Sequence, residues 1–152
     1  MPGNYYKSSR RRLPHVQIGG RWYFISFNSK RGPLTEAGQR IVMETIRHDR
    51  GKRYELHLAV VMPDQVHMLI RPLEKGPGEY FDISAIIKLI KGVSSRRINQ
   101  LAGVSGQLWW DEYYDTMMRD ESDFAARVEY MLNNPVKAGL VERPEQYEFF
   151  VR

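Results

Sequence analysis

Two short segments hold side chains whose types and spacing suit metal and phosphate chemistry. In VVMPDQVHMLI, residues 60–70, Gln65 and His67 stand one residue apart, and in EYMLNN, residues 129–134, Tyr130 and Asn134 stand four apart. Alternate side chains of a β-strand share a face, so Gln65 and His67 point the same way, roughly 6–7 Å apart along the chain, while Val66, Met68 and Ile70 oppose them. Residues four apart on a helix are neighbours, so Tyr130 and Asn134 project from one side. If that helix packs over the strand face bearing Gln65 and His67, two amide oxygens and an imidazole nitrogen could converge on one divalent cation. Such a set suits Mg²⁺ or Mn²⁺. Tyr130 would then stand beside a phosphate drawn to the cation, and attack by its phenol would leave a covalent phosphotyrosine. Spacing alone also allows a plainer outcome, a strand with one wetter face and a tyrosine covering a core edge.

Periodicity predicts the elements that would hold these residues. RWYFISFN (21–28) alternates β-branched and aromatic residues after the turn signal Gly19-Gly20 and reads as a first strand. Leu34, Ala37, Ile41 and Thr45 repeat at three- and four-residue spacing up to Gly51, which predicts an amphipathic helix from Thr35 to about Asp49. YELHLAVVM (54–62) and QVHMLIRP (65–72) read as a hairpin turned at Pro63-Asp64. Residues 73–80, rich in Gly and Pro, read as a loop. Ile83, Ile86, Ile87, Ile90 and Val93 then mark the clearest helix. LWWDEYYDTMM (108–118) reads as a fourth strand or an extended edge, its Trp and Tyr residues as core or sheet cover rather than a base-stacking platform. A last helix starts near Asp120, with Phe124, Val128, Met131 and Leu132 on one apolar arc, and is predicted to end before Pro135. The order predicts an α+β fold, a ferredoxin-like sandwich with a central antiparallel sheet and helices packed on it.

Composition narrows the function. At 152 residues and 42% hydrophobic, the chain suits one domain, with no apolar run long enough to span a membrane and no signal-type segment, so a cytoplasmic protein is expected. With no cysteine, disulfides, thiolate catalysis and Cys-based zinc sites are excluded. Net charge is +5, yet residues 1–35 alone carry seven basic residues and no acid. Arg10, Arg11 and Arg12, interleaved with Tyr5, Tyr6 and His15, suit phosphate contacts and stacking on unpaired bases. Residues 1–18 read as a basic arm for a polyanion and 19–152 as one domain. Lys88 and Lys91 on the isoleucine-rich helix could line a DNA backbone path, or form a solvated helix face.

MPDQVHMLI followed by EYMLNNPVKAGLV resembles the paired signature of the single-tyrosine HUH transposases, specifically the REP-associated tyrosine transposases. RRLPH, GGRWYFISF, IIKLIKGVSSRRIN and LWWDEYYDTMMRDESDF support the resemblance, which spans roughly residues 10–143. It implies a ferredoxin-like domain with a divalent metal, and a tyrosine that cleaves single-stranded DNA, bonding the 5′ phosphate and leaving a free 3′ hydroxyl. The resemblance also implies that the arm, residues 1–18, contacts DNA and that the domain, residues 19–152, is catalytic. The implied substrates are palindromes folded as hairpins with unpaired flanks, and the enzyme a monomer or homodimer. Tyr130 matches the nucleophile, Asn134 the metal ligand on the tyrosine helix, and His67 the second histidine of the pair. Gln65 stands where the family usually has the first histidine. A glutamine oxygen can still serve Mg²⁺, though an amide is a weaker ligand than imidazole for Mn²⁺. Asp64, where the family often has Asn, reads as a turn residue, and His57 as polar filler on the preceding strand. The alternative from another class is a non-catalytic hairpin-DNA-binding or RNA-binding regulator on the same fold.

Overall fold

The computed structural model describes the backbone of Tyr6 and Lys7 and the whole of residues 17–152. Among the described residues, eight strands, three α-helices and one 3₁₀ turn follow in the order β1 (Tyr6–Lys7), β2 (Tyr23–Ser29), α1 (Glu36–Asp49), β3 (Tyr54–Val61), β4 (Gln65–Pro72), β5 (Glu74–Gly76), β6 (Glu79–Tyr80), α2 (Ile83–Ala102), β7 (Trp109–Met117), α3 (Glu121–Lys137), the turn Pro144–Gln146 and β8 (Phe150–Val151). Six strands form one sheet in the order β1-β7-β2-β4-β3-β8, antiparallel throughout. The expected α+β architecture is present.

Local signals explain each helix. Thr35, Asp82 and Asp120 are N-caps, their side chains accepting from the backbone N–H of Gly38, Ser84 and Asp123; each such cap is worth about 1 kcal/mol. α2 stops at Gly103, whose φ of 67° lies in the left-handed region that a Cβ disfavours.

Alternation along the strands builds two cores. Tyr23, Ile25 and Phe27 of β2, Val66, Met68 and Ile70 of β4, and Ala59 and Val61 of β3 face α1 and α2, where Val42, Ile46, Ile86 and Ile90 meet them. The opposite face carries Phe24, Leu58, Val60 and Leu69 against Met131, with Phe124, Val128 and Leu132 of α3 packed around it. Burying each of these aliphatic side chains stabilises the fold by about 1.5–3 kcal/mol. The larger core thus anchors the sheet, and α3 packs on the face that holds Gln65 and His67, with Trp22, Tyr147 and Phe150 beside it.

Two elements differ from expectation. The loop 73–80 contains the small hairpin β5-β6, in which Glu74 pairs with Tyr80. α3 does not end before Pro135 but continues through it to Lys137. A proline costs its helix one N–H donor and crowds the preceding turn. Near a C-terminus that loss is small, and the turn is closed by the N–H groups of Ala138, Gly139 and Leu140 donating to the carbonyls of Asn134, Val136 and Pro135.

Candidate active site

β4 places the first pair of residues. Asn28 pairs with Gln65 and Ser26 with His67 across β2, while Val60 flanks His67 on β3. His67 therefore lies in the middle of the sheet and Gln65 at its end. The imidazole is 3% exposed, and neither Nδ1 nor Nε2 has a hydrogen-bonding partner among the described residues. It stacks on Phe24 at 5.3 Å between ring centroids, with 24° between planes. Burial, reinforced by the nearby Arg127 guanidinium, pushes its pKa down to about 4. At neutral pH it is a neutral imidazole with lone-pair density to give.

α3 supplies the second pair. Because Met131 seats the helix on the sheet, Tyr130 is turned toward the rim, 41% exposed, its ring 5.9 Å from that of His67 and 6.2 Å from that of Phe24. Tyr130 and His67 belong to the same chain. Asn134, partly buried, follows one turn later, and the continuation of α3 past Pro135 keeps it within regular helix. Helix and strand thus place Tyr130 beside His67, with Asn134 and Gln65 flanking them on α3 and β4.

Arg127 is the residue that sequence reasoning missed. It is 5% exposed, and its guanidinium carbon lies 4.2 Å from the Phe24 ring centroid and 5.5 Å from that of Tyr130. The signal was present: at 100° per residue Arg127 falls about 60° from Phe124, at the margin of the apolar arc and on the side of Tyr130.

Other candidates fall elsewhere. Arg10, Arg11 and Arg12 lie outside the described residues. Lys88 and Lys91 are on α2, in the layer opposite α3. Lys88 is exposed, whereas the Lys91 ammonium donates to the carbonyls of Trp110, Asp111 and Glu112. Its three donors are thereby engaged inside the protein. Asp64 is an exposed turn residue whose carbonyl accepts from the Ser29 N–H at 2.9 Å. His57 sits at an irregularity of β3 and meets Phe124 edge-on at 4.7 Å, a packing role away from Tyr130.

The donor set suits a hard divalent cation. No group of three or more His, Cys, Asp or Glu that could bind a metal occurs among the described residues. Gln65, His67 and Asn134 would instead offer two amide oxygens and one imidazole nitrogen, and a cation would give one of the two His67 nitrogens the partner it lacks. These residues fit Mg²⁺ or Mn²⁺.

Comparison with known proteins supplies the family. The model of the IS200-like transposases matches residues 27–134, most of the chain and a span that includes Gln65, His67, Tyr130 and Asn134, so the chain belongs to that family. It is similar to the REP-associated tyrosine transposase of Escherichia coli strain K12, 26% identical over 133 residues, which are 86% of this chain and 75% of that protein. The solved structure of a REP-associated tyrosine transposase bound to a REP hairpin shares the fold, with a TM-score of 0.69 at 23% identity over 92% of this chain and 81% of that one. Among the described residues no helix is long and apolar enough to cross a membrane.

Proposed function

We propose that this transposase cleaves and rejoins single-stranded DNA at hairpin-forming palindromes through a 5′-phosphotyrosine at Tyr130. The observation that carries the reading is the buried His67 imidazole, without a partner for either nitrogen and set against the exposed Tyr130 ring. Gln65, His67 and Asn134 would hold a divalent metal, which supplies Lewis-acid polarisation of the scissile phosphate. The Tyr130 oxygen attacks phosphorus, its proton passes to solvent, the bond from phosphorus to the 3′ oxygen breaks, and that oxygen leaves as a hydroxyl after taking a proton. Phe24 and His67 brace the Tyr130 ring. The Arg127 charge adds positive potential where the phosphate must sit, at no reorganisation cost.

A hairpin substrate is supported by the similarity to a protein solved with a REP hairpin and by the basic first quarter of the chain. The second reading is a hairpin binder that no longer cuts. Gln65 favours it, since a neutral amide replaces the imidazole usual at that position, and so does Arg127, whose charge opposes a second cation.

Incubation with labelled palindromic single-stranded DNA and Mg²⁺ or Mn²⁺, resolved on a denaturing gel, tests the proposal. A covalent adduct that vanishes in Tyr130→Phe and on chelation of the metal is the expected result. Binding without an adduct from the natural chain, restored by Gln65→His, would establish the second reading instead.

A further inference from the structure

β7 breaks its register next to the end of β2. Phe27 pairs with Tyr113 and Ser29 with Trp109, so Trp110, Asp111 and Glu112 stand opposite the single residue Asn28. An insertion of that size takes peptide groups out of the ladder, and their carbonyls need other donors. The Lys91 ammonium meets all three, donating to the carbonyls of Trp110 at 2.7 Å, Asp111 at 3.3 Å and Glu112 at 3.1 Å. From below, the same ammonium is braced by the rings of Phe27 and Tyr113, 5.6 and 6.0 Å from their centroids. The bulge is a held structure.

Its effect is to present Trp110. Trp109 is 3% exposed and packs edge-on against Phe27 in the core, whereas its neighbour Trp110 is 43% exposed. Lys30 Nζ lies 5.1 Å from the Trp110 ring centroid and donates to Gln107 Oε1 at 3.0 Å. Gln107 Nε2 in turn donates to the Asp111 carboxylate at 2.9 Å, which orients the amide. Between α2 and β7 opens a groove of about 450 Å³, lined by Ser84, Lys88, Ser95, Gln107 and Trp110 among others. The indole, with Lys30 over it, the Lys88 ammonium and an oriented amide stand around a cleft that Asp111 also lines, its carboxylate held by Gln107. Such a set suits a planar heteroaromatic ring carried on an anionic backbone.

Asn28 has the bulge on one side and Gln65 on the other, but the groove opens on the α2 face of the sheet and Tyr130 stands on the α3 face. The cleft is therefore separate from the tyrosine site.

We propose that Trp110, with Lys30 and the groove beneath the bulge, is a stacking site for one unpaired nucleotide of single-stranded DNA. Its use during cleavage rests on the reading of Tyr130 given above; the stacking site itself does not. It makes Trp110 a residue that selects DNA with an unpaired flank.

Three probes test it on the full chain: oligothymidylate, a DNA hairpin with a single-stranded flank, and the same hairpin blunt-ended. In the natural protein oligothymidylate quenches tryptophan fluorescence, and Trp110→Ala removes that quench. Trp110→Ala weakens binding of oligothymidylate and the flanked hairpin about tenfold or more, leaves the blunt hairpin unchanged, and Trp110→Phe recovers most of the loss. Unaltered affinity in Trp110→Ala, an equal loss on the blunt hairpin, no single-strand binding at all, or tighter binding of oligouridylate than of oligothymidylate would each overturn the proposal. An adduct at Tyr130 indifferent to Trp110 would sink the stacking site and keep the cleavage reading. Flank-dependent binding lost in Trp110→Ala, with no adduct from any variant, would do the reverse.

Discussion

Protonating His67 would put a second cation beside Arg127 where water does not reach, and that has a measurable pH signature. The folded-state pKa is about 4 against an ordinary 6.5, so between those values the unfolded chain binds the proton that the folded chain refuses. The stability His67 contributes is therefore complete above about pH 6.5 and is lost as pH falls towards 4. Urea unfolding in metal-free buffer at a series of pH values should show this loss, and His67→Gln should remove that component while leaving the carboxylate titrations below it. If the two proteins lose stability in parallel from pH 6.5 to 4, the imidazole is not held neutral by its surroundings. The pairing of Gln65 with His67 was legible in the sequence because strand alternation has a period of two and no freedom. Arg127 was not, because a charged residue at the margin of an apolar arc reads as solvated unless the ring that receives its guanidinium, here Phe24 from a distant strand, is known.

At the scale of elements, short periodic stretches were legible and departures from periodicity were not. LWWDEYYDTMM scans as one continuous strand, since aromatic residues have high strand propensity on either face. Only pairing with β2 reveals that three of its residues stand outside the ladder. Lys91 carries that departure. Replacing it by methionine keeps the stem and removes the donors, and should destabilise the protein by about 1–3 kcal/mol in chemical unfolding, the range for hydrogen bonds to a charged group. A loss below a few tenths would mean that water serves the three carbonyls equally well. α3 is attached more lightly than α1 and α2, through Met131 and a ring of half-buried neighbours. Met131→Ala should cost about 2–5 kcal/mol and lower adduct yield further than the fraction unfolded explains, because Tyr130 takes its position from this contact. Its end was misjudged for a physical reason: the bias of a residue preceding proline against helix is outweighed when the following three N–H groups close the turn.

For the whole molecule, charge is distributed as function would have it. Seven basic residues without an acid occupy residues 1–35, and residues 111–152 hold ten acids against five bases. Replacing Arg10, Arg11 and Arg12 by glutamine leaves β1 in the sheet and should lower the slope of log affinity against log salt by about 2–3 for hairpin DNA, since each phosphate contact contributes just under one. An unchanged slope would leave the arm without a role in binding. The antiparallel sheet with helices packed on it was legible from element order, whereas which helix takes which face needed the packing of the two cores; β1, β8 and the β5-β6 hairpin were too short to carry a periodic signal.

His67 and Tyr130 meet within a single chain, and this has a kinetic meaning. A centre shared between two molecules would give a rate rising with the square of protein concentration when dimers are scarce. The centre proposed at Tyr130, built from one chain, should be first order in protein, with the same turnover per molecule at every dilution. Mixing Tyr130→Phe with His67→Ala should accordingly restore nothing, since neither chain can lend the other what it lacks.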